Sequence, residues 1–134
     1  MSKKQTREQS QNCLSEDQVK EILDRWLRKD GWETKIAWDR QHNGDIVAQK
    51  LGKKWIIEVK GCGKHDQHRR NNFLDALAEI LQRMYNSRMK YSTVFPNVEP
   101  YPTLWANLPA LAKKRTKISV LFVEKNGRVA ELES

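Results

Sequence analysis

Residues 44 to 61 read Gly44-Asp45-Ile46-Val47-Ala48-Gln49-Lys50-Leu51-Gly52-Lys53-Lys54-Trp55-Ile56-Ile57-Glu58-Val59-Lys60-Gly61, two apolar runs separated by a Gly-Lys pair. Glycine at the first central position predicts a hairpin closed by a two-residue type II′ turn. With that turn Leu51 pairs with Lys54, so Gln49 faces Ile56, Val47 faces Glu58 and Asp45 faces Lys60. Side chains alternate along a strand and opposed residues share a face, which sends Asp45, Glu58 and Lys60 out of one side at the open end. Asp45 and Glu58 are diagonal neighbours in this register, roughly 7 Å apart at the backbone.

The second run carries Trp55, Ile57 and Val59 on one face and Ile56 ahead of Glu58 and Lys60 on the other. Such a strand is expected to be buried on both sides, and charges at its end are costly unless paired or bound to a metal. A lone Glu-x-Lys would read as the polar face of an edge strand. Asp45 at the matching register favours a site instead.

Asp45, twelve intervening residues and then Glu58-Val59-Lys60 resemble the signature of the PD-(D/E)XK nuclease superfamily, the restriction-endonuclease-like fold. Gly44 stands where that superfamily usually has a proline, a position at which its members vary. The resemblance implies an α-β-β-β-α-β core and a metal-dependent nuclease in which Asp45, Glu58 and Lys60 are the catalytic residues. Asp45 and Glu58 supply hard oxygen ligands that suit Mg²⁺, with Mn²⁺ able to substitute. The resemblance adds the main-chain carbonyl of Val59 as a third ligand.

Composition bounds the rest. A chain of 134 residues is long enough for one ordinary domain and too short for two. Lys and Arg exceed Asp and Glu by 25 to 17, and a net charge of +8 points to a polyanionic partner, nucleic acid before acidic membrane. There is no apolar stretch near the roughly 20 residues that span a bilayer and no signal-peptide pattern, so a cytoplasmic protein is expected. The two cysteines, Cys13 and Cys62, make no disulfide framework and are taken as reduced.

Residues 1 to 14 are polar and aperiodic, and read as a flexible basic tail ahead of a nuclease-like domain over 15 to 134. Ser15 caps a helix whose apolar residues Val19, Ile22, Leu23, Trp26 and Leu27 recur at helical spacing until Gly31. In the superfamily a first-helix glutamate often joins the metal site. Glu16 and Glu21 are the candidate accessory acids here, and Lys20 occupies a position where some relatives place that acid. The plainer reading leaves Glu16 helix-terminal and Glu21 exposed. Trp32 to Trp38 alternates as a half-buried strand, and residues 39 to 44 form a polar turn into the hairpin.

Beyond Lys60, Cys62, His65 and His68 are spaced in threes, but zinc wants a fourth ligand and none is evident. A flexible basic loop reaching phosphates with Lys64, His65, His68, Arg69 and Arg70 is the preferred reading, a solvated loop the plain one. Asn71 or Asn72 is expected to cap a second helix with Phe73, Leu77, Ile80, Leu81 and Met84 inward. Several superfamily members carry a glutamine on this helix. Glu79 holds the equivalent position here and Gln82 follows one turn later, so these two are the candidate helix contributions.

A fourth strand over Tyr91–Phe95 stops at Pro96. Pro102 to Lys114 reads as helix, kinked or restarted at Pro109, with Leu104, Trp105, Leu108, Leu111 and Ala112 inward. Lys113, Lys114, Arg115 and Lys117 form a basic cluster that is more often a solvated face than a groove for DNA. A buried strand over Ile118–Val123, the Asn126-Gly127 turn and a short strand over Val129–Leu132 complete the chain.

The expectation is a single α/β domain with a central mixed β-sheet flanked by helices. Its expected activity is Mg²⁺-dependent hydrolysis of phosphodiester bonds in DNA, as an endonuclease. The alternatives are a non-catalytic nucleic-acid-binding or protein-interaction module on the same fold, or an unrelated domain whose charge serves solubility. Cutting both strands would need two protomers or two encounters, so a homodimer is expected.

Overall fold

A computed structural model describes residues 11–38 and 45–133. The expected turn over 39 to 44, and residues 1 to 10 of the expected tail, lie outside the described residues. Helix α1 (Glu16–Lys29) starts where Ser15 and Gln18 cap each other reciprocally, side chain to backbone in both directions. It buries Val19, Leu23 and Leu27 and ends just before Gly31. Strands β1 (Glu33–Ile36), β2 (Ile46–Lys50) and β3 (Lys53–Val59) follow as the expected antiparallel meander.

Helix α2 (Asp66–Gln82) returns the chain so that β4 (Lys90–Pro96) lies parallel to β3. Helices α3 (Tyr101–Ala106) and α4 (Ala110–Thr116) restart across Pro109 and lead to β5 (Ser119–Val123), parallel to β4. An antiparallel β6 (Val129–Leu132) closes a six-stranded mixed sheet in sequence order. This is a single α/β domain with the α-β-β-β-α-β core, and its sheet carries an apolar cluster on each face. Ile56, Phe73, Ile80, Phe95, Tyr101 and Phe122 pack on the α2 side, and Val19, Leu23, Ile46, Ile57, Val94 and Leu121 on the α1 side.

Three expectations fail in instructive ways. The hairpin turn is Leu51-Gly52, with both residues at positive φ (50° and 79°) as a type I′ turn requires, not Gly52-Lys53. The register therefore pairs Lys50 with Lys53, Gln49 with Lys54, Val47 with Ile56 and Ile46 with Ile57. Packing decides this: the type II′ register would set Gln49 against Ile56 and Val47 against Glu58, whereas the observed one matches apolar with apolar. A slip of two residues keeps every side chain on its expected face, so Asp45, Glu58 and Lys60 still share one, with Glu58 rather than Lys60 next to Asp45.

Helix α2 begins six residues earlier than the expected asparagine caps. His65 caps it by accepting from His68 N, and Lys64 N donates in turn to His68 Nδ1. The histidines and Arg69 and Arg70 thus belong to its first turns, not to a loop. Its inward stripe is Phe73, Ala76 and Ile80, with Leu81 turned out; Leu111, expected inward on α4, is also exposed.

The cysteines are not reduced: Cys13 and Cys62 form a disulfide across 49 positions of sequence. Leu14, next to Cys13, is buried and its carbonyl accepts from Cys62 N at 2.7 Å, so the last residues of the expected tail are fastened to the exit of β3. Polar composition hid this, because a single buried leucine makes no periodic signal. No helix among the described residues is long and apolar enough to cross a membrane.

Candidate active site

The candidate site lies at the carboxyl end of β3, where Gly61 forces close approach. A Cβ there would sit 2.5 Å from Glu16 N, so only glycine lets the strand exit pass under the start of α1. Tyr101, fully buried, donates from its hydroxyl to Gly61 O at 2.8 Å. The start of α1 and Tyr101 of α3 thus hold the backbone that carries Glu58 and Lys60.

Asp45 continues the pairing of β1 with β2, since Ala37 N donates to Asp45 O at 2.8 Å. Its carboxylate reaches across to β3 and accepts from Val59 N at 2.7 Å. Glu58 is buried, Asp45 and Glu79 half-buried, and one carboxylate oxygen from each lies within 4.8 Å of the others. The expected trio is therefore brought together, and Glu79 of α2 joins it.

Helix α2 meets β3 through crossed ion pairs. Lys60 Nζ lies 3.0 Å from Glu79 Oε1, and Arg83 Nε lies 3.1 Å from Glu58 Oε1. The spacings match: four helical residues rise about 6 Å and two strand residues about 6.6 Å, so Glu79 and Arg83 register on Lys60 and Glu58 in antiparallel sense. Arg83 was missed as a site residue. Its position four residues after Glu79, set against the two-residue step from Glu58 to Lys60, was the available signal. Gln82 points to solvent.

Lys20 supplies a third cation from the α1 side. It is 1% exposed, with its ammonium 3.2 Å from Glu16 and 3.8 Å from Asp45, and it donates to Ala37 O. The Glu16 carboxylate thus meets the site through Lys20, and Glu16 shares a cleft with Lys60. Glu21 is exposed and lines a different cleft with Arg25 and Lys125. Trp38, 55% exposed, has its ring centroid 5.8 Å from the Lys20 ammonium.

Burial, and after it the adjacent Asp45 carboxylate, push Glu58 up to about 8 from its ordinary 4.5, against the opposing hydrogen bond from Arg83. A cation placed among these carboxylates would oppose both causes. The donor set fits a hard divalent ion such as Mg²⁺, being three convergent carboxylates. Thr93, paired in register with Glu58, has a buried hydroxyl with no hydrogen-bond partner among the described residues.

The residues expected to meet phosphates have local tasks. Arg69 donates to Cys62 O and Glu99 O, and Arg70 pairs with Asp66 one turn back. His65 and His68 cap α2, while Lys64 is exposed. A cleft of about 470 Å³ nevertheless runs from Glu16 and Lys60 past Gly63 to His68 and Asn72, so that Lys60 shares it with the first turns of α2. The basic cluster of α4 precedes β5 and so lies at the opposite end of the parallel strands.

Solved structures share this architecture. An XisH family protein from Nostoc punctiforme superposes with a TM-score of 0.59 at 16% identity, over 87% of this chain and 99% of its own. The fold is XisH-like. An FdxN element excision controlling factor protein from Anabaena variabilis gives 0.56 at 19% identity, over 85% of this chain and 96% of its own. No protein-family description matches the sequence, and no curated protein matches it.

Proposed function

We propose that the protein is a member of the PD-(D/E)XK superfamily and a Mg²⁺-dependent deoxyribonuclease that cuts internal phosphodiester bonds. The observation that carries this reading is the convergence of Asp45, Glu58 and Glu79, with Lys60 paired to Glu79 and lining a cleft that reaches His68 and Asn72 on α2. The likeness to an FdxN element excision controlling factor agrees with a task on DNA.

Asp45 and Glu58 would hold the cation, with Glu79 and the carbonyl of Val59 completing the protein ligands. When bound, the ion lowers the pKa of a coordinated water and neutralises charge on the phosphate. Asp45 is positioned for this by Val59 N and Lys20. Lys60 orients the attacking water and offsets negative charge as it develops, and Glu79 holds its ammonium in place beforehand. His68, which lines the cleft beyond Lys60, and the nearby exposed Lys64 and Arg70 would meet the phosphates of the strand. Work on DNA in the cytoplasm would meet the Cys13–Cys62 pair in its reduced form, and two protomers would serve to cut both strands.

The second reading, a nucleic-acid-binding or protein-interaction module without catalysis, draws on the same ion pairs. Arg83 and Lys60 already neutralise Glu58 and Glu79, as a purely structural network would. Circular and linear DNA, single- and double-stranded, incubated with Mg²⁺, Mn²⁺ or EDTA decides between them. Metal-dependent cutting of circles that Lys60→Ala abolishes supports the endonuclease. Salt-sensitive binding without cutting, indifferent to metal, supports the module.

A further inference from the structure

Three arginines lie near the proposed site, and Arg83 differs from the other two. Arg69 and Arg70 are held by backbone carbonyls and by a residue of their own helix. Arg83 is held by Glu58, a carboxylate whose proposed task is to bind something else. The Arg83 side chain is 32% exposed and that of Glu58 3%, so the guanidinium forms the mouth of the pair and the acid its floor. Glu58 engages Nε, and the terminal nitrogens have no hydrogen-bond partner among the described residues, so they can face the two oxygens of a phosphate.

Charge makes the two partners of Glu58 exclusive. Lys20, Lys60 and Arg83 face four carboxylates, Glu16, Asp45, Glu79 and Glu58, so the metal-free set is close to balanced. A divalent ion added to that set leaves an excess of positive charge next to Arg83, and it takes the oxygens that Arg83 used. An incoming phosphate corrects the excess and offers the guanidinium a better-fitting partner.

We propose that Arg83 is a cation-gated phosphate ligand. It stays on Glu58 while the cluster holds no divalent ion, and grips a phosphate of the DNA strand once Glu58 turns to the ion. The inference rests on the metal-dependent nuclease reading and adds a substrate-positioning residue to it. Cation and DNA then bind cooperatively, each raising the affinity of the other by the same factor.

The test compares wild type with Arg83→Gln and Arg83→Lys. Free Mn²⁺ is titrated by electron paramagnetic resonance, and binding of a labelled DNA duplex is measured in Ca²⁺ and in EDTA, with intactness of the DNA checked. Arg83→Gln is expected to bind Mn²⁺ several-fold more tightly. It is expected to bind DNA about tenfold more weakly in Ca²⁺, with a salt slope smaller by about one, and without change in EDTA. Arg83→Lys keeps the charge but not the planar fork; it is expected to lose less, again only in Ca²⁺, and it carries the test should Arg83→Gln fold poorly. Loss of DNA affinity equally in Ca²⁺ and EDTA, or no loss in Ca²⁺, overturns the inference and leaves the nuclease reading standing. Failure of the wild type to bind Mn²⁺ overturns both.

Discussion

Asp45 and Glu58 bring carboxylate oxygens within 4.8 Å of each other, yet only the Glu58 side chain is sealed from solvent. Burial first and Asp45 second push Glu58 up to about 8. The folded state therefore holds a proton that the unfolded chain releases above its ordinary value. Stability from this group is fully present below about 4.5 and is lost as pH rises to about 8. Urea unfolding of the metal-free protein should show wild type losing stability relative to Glu58→Gln across that window. The same proton competes with a cation, so Mn²⁺ affinity should climb with pH to about 8 and level off beyond it. A flat difference between the two proteins would mean that Glu58 is ionised throughout.

Lys20 is buried because it faces Glu16, Asp45 and the carbonyl of Ala37 together. Lys20→Met removes the charge and keeps the bulk of the stem. It leaves Asp45 beside Glu58 with one cation fewer, at an expected cost of roughly 2 kcal/mol, less than for a fully buried pair because Glu16 and Asp45 retain some solvent. Chemical denaturation without metal measures this, and added Mn²⁺ should recover part of the loss. Unchanged stability would show that the ammonium does not compensate Asp45.

Much of the site was legible because faces in a β-hairpin depend on parity. Asp45, Glu58 and Lys60 stay together whether the turn is Gly52-Lys53 or Leu51-Gly52, so an error of two in register cost only the identity of the nearest neighbour. Turn chemistry named the wrong pair because Leu51 has no local reason to adopt φ 50; the pairing of Val47 with Ile56 imposes it. Arg83 was harder to read for a related reason, since its partner depends on how a helix lies against a strand, and only the spacing from Glu79 hinted at it. Lys20 was visible only as an odd residue on a helix, its burial being set by three elements at once.

That imposed turn predicts a stabilising change. Leu51 is 94% exposed and left-handed, so its side chain gains nothing from burial and bears the steric cost of positive φ. Leu51→Asn creates the Asn-Gly pair that type I′ turns favour and should raise stability by about 1 kcal/mol without altering cleavage. Thermal unfolding checks it, and a lower midpoint would contradict the register.

The Cys13–Cys62 bond closes a loop of 49 positions, which in the chain-entropy account is worth about 4 kcal/mol. Cys13→Ser should lose most of that in urea, and a reducing agent should lower wild type to the same level while leaving the variant unchanged. In a reducing compartment the two thiols would be free, and the contact of Leu14 with Cys62 would be left to hold the segment. Equal stability of oxidised and reduced protein would show that this contact suffices.

Gly52 and Gly61 flank β3 and are glycines for different reasons, which separates a fold effect from a site effect. Gly52 has nothing within 4 Å of a built Cβ and only its φ of 79° favours glycine. Gly52→Ala should cost about 1 kcal/mol and leave cleavage unchanged. At Gly61 a Cβ would meet Glu16 N at 2.5 Å and Ser15 C at 3.0 Å, both backbone atoms, so nothing flexible can give way. Gly61→Ala must push the strand exit from the start of α1, against the hydrogen bond from Tyr101 to Gly61 O, at a cost of about 1–3 kcal/mol. Lys60 is the preceding residue and moves with it. Cleavage by Gly61→Ala at a temperature where circular dichroism shows it folded should fall at least about tenfold, as a displacement near 1 Å in a catalytic group can cost more than that. If the two alanine variants lose cleavage only in proportion to stability, the exit of β3 is a structural joint and Lys60 does not need its placement.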